Sequence, residues 1–233
     1  MKIYRVICAS FLFLAACSNE AEVSVVHAGT APGSKAGLRY LALGDSYTIG
    51  ESVTEEERWP VIFSKSIADN KTLISTTDIL AKTGWTSANL LGAVYGYKPT
   101  ENYDLVSLLI GVNNQFQGRS LDEFRIDFHR LLLESIRYTG GRPDKVFVLS
   151  IPDWGATLMG SGSREEIAKS IDRFNLVVKE ACEKEKILFI DITLISRLAL
   201  NDPTLVAGDN LHYSAKMHRL WVAEALPKVR LLL

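Results

Sequence analysis

The sequence predicts an α/β fold, a three-layer α/β/α sandwich on a parallel sheet of about five strands. Three observations predict it. From Gly37 onward, short apolar runs alternate with amphipathic segments of helical period, the pattern of strand–helix units. No internal repeat or second linker interrupts that alternation. At 233 residues the chain fits one such domain with a sizeable core.

The strand candidates are residues 38–43, 73–80, 105–110, 145–151 and 187–190. The first helix starts near Pro60, where a proline in the first turn loses no hydrogen bond. A second starts at Thr86 or Ser87 and runs to about Tyr95. A third opens on the capping box Ser120-Leu121-Asp122-Glu123 and continues to about Tyr138. Its Leu121, Phe124, Phe128, Leu131, Leu132 and Ile136 recur at helical spacing as a core stripe. A fourth opens on a second capping box, Ser163-Arg164-Glu165-Glu166, with Ile167, Ile171, Phe174 and Val178 on its apolar face. The last runs from about Ser214 to Leu226 and stops at Pro227. These elements suggest a flavodoxin-like sandwich and leave the strand order open.

The N-terminus is of another kind. Lys2 and Arg5 precede an apolar run from Val6 to Ala16, the pattern of a secretory signal peptide. The run is too short for a spanning helix, which needs roughly 20 apolar residues. It ends Leu14-Ala15-Ala16-Cys17, which resembles the lipobox of bacterial lipoproteins. That resemblance implies cleavage before Cys17, lipid on Cys17, and a lipid-anchored place in the bacterial cell envelope, at the periplasmic face or the outer membrane. The alternative is an ordinary signal peptide. Residues 1–16 are thus read as the signal, 17–36, rich in Ala, Ser, Gly and Thr, as a flexible tether, and 37–233 as the domain. Of three cysteines only Cys182 stays in the body, expected half-buried and inert, so no intramolecular disulfide is available.

A formal charge of −1 with mixed signs along the body argues against a nucleic-acid partner. No Cys/His cluster has zinc-ligand spacing, so no metal or cofactor is expected.

Chemistry-bearing residues stand at strand ends. Tyr40-Leu41-Ala42-Leu43 runs into Gly44-Asp45-Ser46, which puts a serine hydroxyl on the turn after a strand. Ligand sites of open α/β sheets gather there. A serine nucleophile needs a base, normally a histidine held in one tautomer. Of four histidines, His27 lies in the tether, His129 and His218 lie within helices, and His212 alone has a carboxylate at close spacing, in Asp209-Asn210-Leu211-His212. Taken alone that pair also fits a surface ion pair. Oxyanion donors are offered by Gly84, whose backbone can approach a ligand closely, and by the Asn113 amide in Gly111-Val112-Asn113-Asn114. Trp85, Gln115, Phe116, Arg119 and Trp154 are placed on the same rim, either touching substrate or packing the loops.

In order and spacing, Ser46, Gly84, Asn113 and Asp209-x-x-His212 resemble the SGNH, or GDSL-type, hydrolases, and the likeness spans the chain from Leu38 to the last helix. It implies metal-independent ester hydrolysis with Ser46 as nucleophile, His212 as base and Asp209 as orienter. The N–H groups of Ser46 and Gly84, with the Asn113 amide, would form the oxyanion hole, and Asp45 would brace the serine loop. Two positions depart from the pattern: Asn114 stands where Asp is usual, and Tyr47 where Leu is usual, there either shaping the pocket or packing beneath the turn. The absence of G-x-S-x-G around Ser46 disfavours the α/β-hydrolase elbow. The expected substrate is a small short-acyl or acetyl ester. A lysophospholipase or thioesterase on longer chains, or a binding lipoprotein with a dead site, are the alternatives.

Overall fold

The computed structural model describes residues 25–28, 37–69 and 72–233. The signal peptide and Cys17 lie outside the described residues. Six strands form one sheet: β1 (Val26–Ala28), β2 (Leu38–Gly44), β3 (Ile74–Ala81), β4 (Leu105–Leu109), β5 (Val146–Leu149) and β6 (Leu188–Ile190). Their order is β1-β3-β2-β4-β5-β6. The last five are mutually parallel, and β1 alone runs antiparallel, along β3. The five parallel strands therefore have the flavodoxin order, in which the first strand lies between the second and the third.

The short apolar runs are strands because helices cover both faces of them. α2 (Trp59–Ile67) packs on α8 (Ala215–Val229), while α3 (Ser87–Gly96), α5 (Leu121–Tyr138) and α6 (Arg164–Glu185) pack in a row. Tyr40, Phe63, Trp59 and Phe147 meet ring to ring between the sheet and α2. On the other side Phe124 meets Phe128 and Phe174, which joins α5 to α6. Tyr40 carries its hydroxyl into this core and satisfies it with Ser107 Oγ at 2.7 Å. No helix among the described residues is long and apolar enough to cross a membrane.

Four sequence expectations need correction. The sheet has six strands, because Val26–Ala28, inside the stretch read as a tether, pair with Thr77–Ile79. His27 Nδ1 lies 2.6 Å from Oδ1 of the buried Asp78, whose Oδ2 accepts from Tyr103 Oη at 2.5 Å. A three-residue edge strand is fixed by this one polar anchor and its ladder, neither of which leaves a periodic signal. The Ser163 box does not form: at φ −143° and ψ 36° its hydroxyl is not aimed at the helix N–H groups. Ser120 does cap its helix, accepting from Asp122 and Glu123 N–H, without the return bond to Glu123 that would complete the box. The last helix passes through Pro227 to Val229, whose side chain is fully buried against the core. Proline there removes one backbone bond, and burial of Val229 outweighs it. Cys182 is fully buried, not half-buried, and burial pushes its thiol up to about 12.

Gly44 ends β2 where the sheet, the Ser46 turn and β4 meet. A Cβ there would lie 2.1 Å from Thr48 Oγ1 and 2.6 Å from the Leu109 carbonyl oxygen. Gly44→Ala should therefore lower stability by about 1–3 kcal/mol, read as a lower urea midpoint. An unchanged midpoint would show that the serine turn yields without cost.

Candidate active site

The strand order creates the crevice. From β2 the chain crosses to β3 on one side and later to β4 on the other, so no connection covers the gap between the carboxyl ends of β2 and β4. Ser46 follows β2 and opens α1 (Ser46–Ile49); Asn113 follows β4 in α4 (Val112–Phe116). Asp45 caps α1 by accepting the Tyr47 N–H at 3.1 Å. These two helices are too short for any periodic signal, and they set the direction of both side chains.

Ser46, Asn113 and His212 line one cavity of about 70 Å³, with Tyr47, Phe116 and Trp154 among the other walls. Tyr47 packs beneath the turn and also borders the cavity: its ring meets His212, Tyr213 and Trp221 at 5.6–5.9 Å between centroids. Phe116 crosses Trp154 at 5.1 Å, and Trp154 Nε1 donates to Gln115 Oε1 at 2.7 Å. Trp85, Gln115 and Arg119 are not among the residues lining the cavity.

Asp209 sits behind the imidazole. Its Oδ2 lies 2.5 Å from His212 Nδ1, and its Oδ1 accepts the backbone N–H groups of Leu211 and His212 at 2.9 Å each. The tight turn that allows this puts Asn210 at φ +64°. Ser52 Oγ donates a further bond to Oδ2 at 2.7 Å. Ser52 was not found from the sequence, being 157 residues from its partner and held at φ +66° in an irregular loop. Burial works against the Asp209 anion, but the bonds from Ser52, His212 and the two N–H groups prevail and hold its carboxyl well below the usual range. Nδ1 of His212 is thus committed to Asp209, which leaves Nε2 for other work.

Asn113 Nδ2 donates to the Trp85 carbonyl at 3.0 Å, which fixes the amide and leaves one of its two N–H groups uncommitted by that bond. Gly84 is the neighbour of Trp85 in an exposed turn closed by Trp85 N–H on the Lys82 carbonyl. Its φ of +84° is one that glycine adopts without strain. It stands beside the Asn113 contact and is not among the cavity-lining residues. Asn114, the departure from the family pattern, accepts the Ser87 N–H and donates to Ser87 Oγ, both at 2.8 Å. An amide does both where a carboxylate only accepts, and it ties the first turn of α3 to α4.

The other histidines serve elsewhere. His129 Nε2 meets Glu185 at 2.8 Å. Buried His218 donates from Nδ1 to the Glu57 carbonyl at 2.9 Å, and burial pushes it down to about 4, so it is neutral near pH 7. No group of three His, Cys, Asp or Glu among the described residues could hold a metal ion.

A sequence model of the GDSL-like lipase/acylhydrolase family matches residues 42–220. The chain belongs to that family. It is a carboxylic-ester hydrolase. No curated protein matches the sequence. Several solved structures share the fold. TesA superposes with a TM-score of 0.67 at 18% identity, over 84% of this chain and 99% of its own. Axe2, an acetylxylan esterase from Geobacillus stearothermophilus, gives 0.63 at 19%, over 83% and 94%. The lipase/acylhydrolase from Enterococcus faecalis gives 0.63 at 18%, over 83% and 95%.

Asp45 and His218 give stability opposite pH dependences. Burial raises Asp45 from 3.8 to about 7, with the Tyr47 N–H foremost in opposing it, so its contribution is whole at acid pH and is lost as pH rises through about 7. His218 is lowered from 6.5 to about 4, so its contribution is whole above pH 6.5 and is lost as pH falls through about 4. Asp45→Asn keeps an acceptor for Tyr47 and cannot ionise. Its urea midpoint should gain on that of the wild type as pH rises from 4 to 8, and parallel pH curves for the two proteins would refute this.

Proposed function

We propose that the chain is a serine esterase acting on small, short-acyl or acetyl esters through an acyl-enzyme. One observation carries the reading: Ser46, Asn113 and His212 line a single cavity at the sheet's switch point, with Asp209 bonded behind His212. In this mechanism Nε2 of His212 removes the Ser46 proton as Oγ attacks the ester carbonyl. Asp209 holds the tautomer and stabilises the imidazolium that forms. The oxyanion is received by the Ser46 N–H, the Asn113 amide and the Gly84 N–H. His212 then protonates the departing alcohol, and water repeats the cycle on the acyl-enzyme. Ser52 is a positioning residue that acts through Asp209.

The size of the cavity supports a short acyl group. At about 70 Å³ it has room for about five to seven waters at roughly 10–15 Å³ each, the space of a short acyl group. We also propose that the protein is exported and anchored by lipid on Cys17 in the cell envelope, on the strength of its N-terminal sequence.

Ser46→Ala should abolish p-nitrophenyl acetate hydrolysis and phosphonate labelling, and Asn113→Ala should lower kcat about 10²–10³-fold. Retained labelling in the Ser46 variant would remove the nucleophile assignment. Across a series of p-nitrophenyl esters, kcat/KM should fall beyond butyrate; a maximum at long chains would overturn the short-acyl reading. Cys17→Ser should release the protein from membranes, and unchanged sedimentation would refute the anchor.

A further inference from the structure

The chain enters the sheet from the edge that bears the site. β1 is antiparallel to β3, with Val26 opposite Ile79 and Ala28 opposite Thr77. β3 ends at Ala81 on the carboxyl edge, so the start of β1 at Val26 lies at that edge. Cys17 is eight residues before Val25. At ~3.3–3.6 Å per residue such a segment spans at most about 29 Å. A domain of this length has a radius of gyration of about 16 Å and hence a diameter of about 40 Å. A lipid on Cys17 therefore cannot reach round to place the opposite edge against a membrane.

The same edge carries much of the exposed apolar surface. Thirteen large hydrophobic side chains are exposed among the described residues, and six of them stand on the connections that leave β4, β5 and β6. They are Phe116, Leu158, Met159, Leu194, Leu198 and Leu200, each at least half exposed. Leu194 belongs to α7 (Thr193–Ser196), which follows β6. The three connections are joined: Phe116 meets Trp154, Arg197 Nε bonds Asp153 at 2.7 Å, and Met159 N–H donates to the Asn210 carbonyl at 3.1 Å. The patch thus borders the cavity through Phe116 and adjoins the Asp209–His212 turn through Asn210. Apolar surface gathered in this way marks an interaction site.

We propose that this face rests on the lipid bilayer, with the mouth of the Ser46 cavity turned toward the membrane surface. The esters that reach Ser46 are then those presented at that surface, carried by amphiphiles whose apolar part stays in the lipid. The proposal rests on the Cys17 anchor read above.

A fluorescent label tests it. Cys17 carries the lipid and Cys182 is buried, so a new cysteine is the thiol open to reaction. Leu158→Cys and, as reference on the outer side of α5, Leu133→Cys are labelled with nitrobenzoxadiazole in the full-length lipidated protein. Both are placed in phosphatidylcholine vesicles containing doxyl-labelled lipid. Quenching at 158 should exceed that at 133 about twofold or more, as for a face set into the headgroup layer. Equal quenching, or more at 133, overturns the proposal. Hydrolysis of p-nitrophenyl butyrate verifies that each labelled protein is folded, and Leu198→Cys replaces Leu158→Cys if that variant is inactive. The anchor is tested apart, by sedimentation of Cys17→Ser. If that variant still sediments, the anchor reading falls, and the quenching pattern still decides which face meets lipid.

Discussion

The site depends on one topological constraint. Parallel strands joined by right-handed crossovers must send their helices to one face or the other, and the first strand here has its successors on both sides. β3 lies to one side of β2 and β4 to the other. The gap that results cannot be filled by a connection, because both connections lead away from it. Ser46 and Asn113 flank this gap on helices too short to have any stability of their own. Their orientation is borrowed from the strands beneath them, and Gly44, pressed against Thr48 and Leu109, is where that rigidity is passed on.

The remaining parts are braced from a distance. Asp209 receives four hydrogen bonds, from Ser52, from the His212 ring and from two backbone N–H groups. Asn113 is steadied by the Trp85 carbonyl, and Asn114 binds the start of α3. The site is therefore assembled from loops that are individually irregular and mutually bonded. Polar groups used this way are costly to bury and specify one geometry when all are satisfied.

What could be read in the sequence follows from the range of the interactions. The five parallel strands and the five long helices are set by local apolar period, and their bounds agree with the structure within a few residues. Ser46, Asn113, Asp209 and His212 were legible because each stands in a short motif beside a strand end or within one turn. Ser52 was not, since it meets Asp209 only in the fold. Neither was β1, whose three residues gain stability by pairing with β3 and whose composition matches its neighbours. The box at Ser163 shows the converse limit: the residue types were right, but the turn before them fixed the backbone elsewhere. Pro227 is similar, a local stop signal overridden by burial of the residue two places on.

β1 has a further consequence. The outer edge of β3 would offer open N–H and C=O groups to any neighbouring chain, and such edges are templates for aggregation. β1 occupies part of that edge, and the His27–Asp78 contact pins it. At the other end β6 is only three residues long and offers little to pair with. Proteins confined to a surface meet one another far more often than those free in three dimensions. If the proposed anchor holds the chain in such a layer, a strand taken from its own N-terminal segment keeps neighbours from joining sheet to sheet.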